Sequence, residues 1–119
     1  MAEIRLLKRI AAEFFQSDRG REPVREFLKA IPKRDRKVIG EDIRTVEYGW
    51  PIGMPVCEHL GAKLYEVRSS SGKREYRVLF SVYGSRMILL HVFVKKTQKT
   101  PIREIALAME RRREMEKRR

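Results

Sequence analysis

Arg68, Arg77, His91 and Lys95 are the side chains best placed for chemistry, because they share one parity across three runs that read as β-strands. Side chains alternate faces along a strand, so parity sorts each run into two sets. Tyr65, Val67, Tyr76, Val78, Phe80, Val82, Ile88, Leu90, Val92 and Val94 form an apolar set suited to a core. Leu64, Glu66, Arg68, Arg77, Leu79, Ser81, Leu89, His91, Phe93 and Lys95 form the other. That second set mixes cations, a carboxylate and an imidazole with apolar neighbours, which implies partial enclosure. Lys95, Lys96 and Lys99 then follow the last strand and lead to a helix start, where ammonium groups and free backbone N–H groups could hold phosphates. Glu66 could simply pair with Arg77 or Arg68 across the strands, worth about 0.2–1 kcal/mol; a histidine among apolar residues is commonly a hydrogen-bonded filler, and Lys-rich strand ends are commonly just solvated.

Elements on either side of these strands must position this set. Ile10 to Gln16 alternates well enough for a strand but could equally open a helix, and Gly20 marks a turn. Pro23 suits a first helical position, with Val24, Phe27, Leu28 and Ile31 at helical spacing before Pro32. Val38, Ile39, Ile43 and Val46 predict a second helix over Lys33 to Tyr48, stopped by Gly49. Pro51, Gly53, Pro55 and Gly61 predict a loop. Three strands follow as an antiparallel meander, Lys63–Arg68, Glu75–Tyr83 and Arg86–Lys96, turned at Ser69–Lys73 and at Gly84-Ser85. Thr100 as cap and Pro101 as first position then start a last helix carrying Ile102, Ile105, Ala106 and Met109. The expected class is α+β, a small twisted antiparallel sheet packed against an N-terminal helical hairpin and a C-terminal helix.

Composition narrows the partners. A chain of 119 residues with 42% hydrophobic content suits one domain over its whole length. No apolar run approaches the roughly 20 residues that cross a bilayer. The apolar stretch from Ile4 to Phe15 is broken by Arg5, Lys8, Arg9 and Glu13, unlike a secretory signal, so a cytoplasmic location is expected. Cys57 alone cannot form an internal disulfide, and Cys57, His59 and His91 are too few for a structural zinc site. The net charge of +12 points to a polyanionic partner. Half that excess lies from His91 to Arg119, where ten basic residues face four acidic ones, which favours a localised basic surface.

The runs Leu64-Tyr65-Glu66-Val67-Arg68, Tyr76-Arg77-Val78-Leu79-Phe80 and Leu89 through Pro101, with Glu104 after them, resemble the phage-derived HigB-like branch of the RelE/ParE toxin superfamily. Val24-Arg25-Glu26-Phe27-Leu28 is similar too, and the resemblance covers roughly residues 10–112. It implies a toxin of a type II toxin–antitoxin pair that cleaves mRNA in the ribosomal A site without metal or cofactor. In that reaction the 2′-OH attacks the adjacent phosphate. By the same resemblance Arg77 stabilises the transition state with Arg68 second, Lys95 and Lys96 hold the scissile phosphate or donate a proton, and His91 is general base or acid. Lys99 and the C-terminal Arg111, Arg112, Arg113 and Lys117 would bind RNA. The resemblance also implies a cognate antitoxin, acidic in its contacting segment. This chain departs from RelE in having no tyrosine beyond Tyr83, which leaves the general base open. The rival readings are a ParE-like inhibitor of DNA gyrase and a non-catalytic nucleic-acid-binding relative.

Overall fold

The computed structural model describes residues 7–118, so Ile4, Arg5 and Arg119 lie outside the described residues. Its elements run β1 (Ala11–Phe14), α1 (Pro23–Ala30), α2 (Lys33–Gly49), β2 (Cys57–Gly61), β3 (Leu64–Ser71), β4 (Arg74–Tyr83), β5 (Arg86–Val94) and α3 (Ile102–Lys117). Pro23 opens α1, and Ile31 before Pro32 is extended, φ −93° and ψ 164°, as a residue preceding proline prefers. That kink separates α1 from α2. The five strands form one sheet in the order β1-β5-β4-β3-β2, with β1 parallel to β5 and the other neighbours antiparallel.

The α+β class and its helix placement agree with the sequence, and the sheet is larger than the three-stranded meander it suggested and mixed rather than antiparallel throughout, because β1 runs parallel to β5. One added strand, β2, lies inside the stretch expected to be a loop. The other, β1, is the strand alternative for residues 10–16 and is held by the end of α2: the Glu47 carboxylate accepts the Ala12 N–H at 2.7 Å, and its carbonyl accepts the Arg9 N–H at 2.8 Å. Lys8 lies 3.1 Å from the same carboxylate.

Helices cover both faces. On one face Val24 and Leu28 of α1 and Ile39, Ile43 and Val46 of α2 pack on Val67, Tyr76, Val78, Phe80 and Leu89. On the other, Ala108 and Met115 of α3 pack on Leu64, Leu79, Ile88, Leu90 and Phe93. Strict alternation fails in β5. Leu79 pairs with His91 but Phe80 with Leu89, so Leu90 is an extra residue at a bulge. The side chains before it therefore exchange faces: Leu89 joins the α1–α2 core, and Ile88 and Leu90 join the α3 core, the reverse of the parity expected from sequence.

Candidate active site

At the base of the site Glu66 is fully buried on the α3 face of β3. A carboxylate so placed needs cationic or hydrogen-bonding neighbours. Arg77 of β4 supplies one, its Nε 3.5 Å from Glu66 Oε1, and Arg68 another at 3.9 Å. Among the described residues neither Glu66 Oε1 nor Arg77 Nε has a hydrogen-bond partner, so their attraction is charge against charge without aligned geometry. Arg77 spends Nη1 on the Tyr76 carbonyl at 2.9 Å and lies 3.4 Å from Glu75. Thr100 donates its hydroxyl to Glu66 Oε2. This differs from the expected helix cap: α3 begins after Pro101 with no side-chain cap, and Thr100 instead ties the 95–101 segment down onto the sheet.

Above this base a cleft of about 380 Å³ opens between β2, β3 and that segment, lined by Glu58, Leu60, Arg68, Lys95, Gln98, Lys99, Thr100 and Ile105. Arg68, Lys95 and Lys99 thus converge, as the parity of the strands and the Lys-rich run suggested. Burial, with Arg77 and then Arg68 adding repulsion, lowers the Lys95 pKa from its ordinary value against the opposing pull of Glu66 and Glu58. Arg77 lies beneath, 5% exposed, and acts on the cleft through its field. Lys96 is exposed and is not among the lining residues.

His91 is not in the cleft. Its Nε2 lies 3.0 Å from Glu104 Oε1, and Arg111 Nη1 lies 3.2 Å from its Nδ1. Guanidinium can only donate, so Nδ1 accepts and Nε2 carries the proton toward Glu104. Both ring nitrogens are engaged. Burial, above the opposing effect of Glu104, lowers the His91 pKa, and the ring stacks on Phe93 at 5.6 Å. Arg111 also donates to the Leu90 carbonyl at 2.9 Å, the group that the bulge presents to α3. Arg112 donates to the Ala62 carbonyl and lies 3.9 Å from Glu116. Of the C-terminal set only Arg113 and Lys117 are exposed without an ion pair among the described residues. The structure therefore separates the sequence-derived residues: Arg68, Lys95 and Lys99 line the cleft, Arg77 lies beneath it and Lys96 outside it, His91 and Arg111 form the α3 latch, Arg112 holds the Ala62 carbonyl, and Arg113 and Lys117 lie on the outer surface of α3.

Glu58 is the titratable lining residue that the sequence did not single out. It lies on β2, cross-strand from Glu66, and reading 51–61 as a loop removed the alternation that would have placed it there. The signal was present: within Cys57-Glu58-His59-Leu60, Cys57 and Leu60 go to opposite cores.

As chemistry, three cations around one carboxylate can clamp a phosphodiester and move a proton on or off it. No curated protein matches the chain. A family model described as Phage derived protein Gp49-like (DUF891) matches residues 26–113, which takes in α2, the four strands β2 to β5 and most of both α1 and α3. By that match the chain belongs to the phage derived Gp49-like family, a RelE/toxin-like family.

Proposed function

We propose that this protein is the toxin of a type II toxin–antitoxin pair and an mRNA endoribonuclease that works on the translating ribosome. The observation that carries the reading is the convergence of Arg68, Lys95 and Lys99 around Glu58 in one cleft. Arg68 and Lys99 hold the scissile phosphate and offset charge as the phosphorane forms. The Glu58 carboxylate takes the 2′-OH proton, the 2′-oxygen bonds to phosphorus, and the 5′-oxygen leaves with a proton from Lys95. The products are a 2′,3′-cyclic phosphate and a 5′-OH. The proton roles pass from His91 and Lys96 to Glu58 and Lys95 because His91 has no free ring nitrogen and Lys96 is outside the cleft. The family supports a toxin, and a toxin requires an antitoxin; an acidic segment of that partner, seated over the cleft, would neutralise it.

Mapping mRNA 5′ ends after expression, with translation running and with it blocked, tests the reading. New ends only under translation are expected, and Arg68→Ala or Lys95→Met should abolish them. One observation favours a second reading, a ParE-like gyrase inhibitor: Arg77 is buried against Glu66 and does not line the cleft. Intact messages alongside inhibited DNA supercoiling would establish it.

A further inference from the structure

On the opposite face of β2 from the cleft, three rings stack in a column that ends at the surface. Phe80, fully buried, stacks on Tyr65 at 5.5 Å and 25°, and Tyr65 stacks on His59 at 4.7 Å and 25°. Trp50 stands edge-on to Tyr65 at 4.8 Å and to Phe80 at 5.8 Å, which keeps the column from tilting. His59 is exposed and shares the lining of a shallow groove of about 250 Å³ with Trp50, Ile52, Gly53 and Tyr65. Neither the proposed reaction nor the core uses this imidazole.

We propose that the groove is a stacking subsite for one nucleobase of the RNA strand whose phosphate occupies the cleft. This rests on reading the chain as a protein that acts on RNA. Two observations select the occupant. The first is continuity: β2 is an outer strand of the sheet, and consecutive residues Glu58 and His59 line the cleft and the groove respectively. A single strand crossing this narrow edge meets both. The second is charge. Arg68, in the cleft, reaches to Met54 Sδ at 3.4 Å, beside the loop that walls the groove, so a guanidinium stands where the connecting backbone would pass. A flat π-surface beside a cation is the arrangement that binds unpaired bases, and it tolerates any base because every base has a π-face.

Trp50 is the chain's one tryptophan and lines the groove, so its fluorescence reports occupancy. The probe is a short single-stranded RNA made uncleavable by 2′-O-methylation, titrated into the full chain without ribosomes, beside an abasic strand of the same length. Trp50 emission should change with the base-bearing strand and not with the abasic one. His59→Ala should weaken the base-bearing strand about tenfold, with His59→Phe restoring it and abasic binding by anisotropy unmoved. Equal responses to both strands, or unchanged affinity in His59→Ala, would overturn the proposal. So would a Trp50 response to the cognate antitoxin and to no oligonucleotide, which would make the groove a protein contact. Because the probe cannot be cleaved, a failed nuclease assay leaves this result standing, and a failed titration leaves the nuclease reading untouched.

Discussion

An ammonium donates a proton to a leaving oxygen only while it is protonated, so in the proposed reaction Lys95 sets the alkaline limit of cleavage. Burial, reinforced by Arg77 and Arg68, lowers its pKa from the ordinary lysine value. Single-turnover cleavage should therefore decline, as pH rises, sooner than a solvated lysine would dictate. Lys95→Arg, which keeps its proton throughout that range, should be slower and lack the decline; an identical alkaline limb in both proteins would remove Lys95 from proton transfer. Beneath it, Glu66 and Arg77 are a buried pair whose value depends on both members being present. Losing one partner leaves the other charge buried with weaker compensation, Glu66 with Arg68 at 3.9 Å and Arg77 with Glu75 at 3.4 Å, at a cost of up to about 3 kcal/mol, whereas replacing both with apolar side chains is often close to neutral. Urea unfolding of Glu66→Gln, Arg77→Met and Glu66→Leu with Arg77→Met checks this. The single variants should be strongly destabilised and the double variant should recover much of the loss.

Helix α3 is fastened to the sheet by a titratable latch, His91 between Glu104 and Arg111. Burial lowers the pKa of His91 in the folded protein, so folding favours the neutral ring. Its contribution to stability is present above the unfolded value of about 6.5 and is lost as pH falls through the folded pKa. A protonated Nδ1 would also face the Arg111 guanidinium as donor against donor. Amide protection in α3 should therefore fall on acidification below the unfolded pKa, ahead of protection in β3 and β4, and His91→Gln should remove that step. Uniform loss of protection across the sheet and α3 would refute the latch. The elements themselves were unevenly legible in the sequence. Helical spacing located α1 and α2 because each buries one stripe, and parity sorted β3 and β4 because they are regular. For α3 the spacing found the helix but not its buried face: Ile102 is 84% exposed and Ala106 is exposed, while Ala108 and Met115 enter the core. Parity failed in β5 before His91 because the bulge at Leu90 depends on pairing with β4, which no local pattern records. β2 was hidden by the prolines and glycines around it, and with it Glu58. Thr100 looked like a cap because a hydroxyl before Pro101 has the right spacing; that it reaches Glu66, 34 residues earlier, follows only from the fold.

Over the whole molecule the net charge of +12 says that a polyanion is attracted, and the structure decides which cations are available to it. The C-terminal excess looked like one basic docking surface. Within it Arg111 is committed to the Leu90 carbonyl and His91, Arg112 to the Ala62 carbonyl, and Arg118 to Asp18 at 2.8 Å. Those guanidiniums hold α3 in place and are poorly placed to release counterions from RNA. Lys99, exposed at the cleft, is free to do so. Each phosphate neutralised on a single strand contributes about 0.7 to the slope of log affinity against log salt. Lys99→Ala should accordingly reduce that slope by about 0.7 with little change in melting temperature. Arg111→Ala should do the opposite, lowering the melting temperature while leaving the slope where it was. Anisotropy titrations of an uncleavable RNA at several salt concentrations, paired with thermal melts, separate the two. Equal loss of slope in both variants would return Arg111 to the proposed RNA-binding surface and make its contacts with Leu90 and His91 secondary.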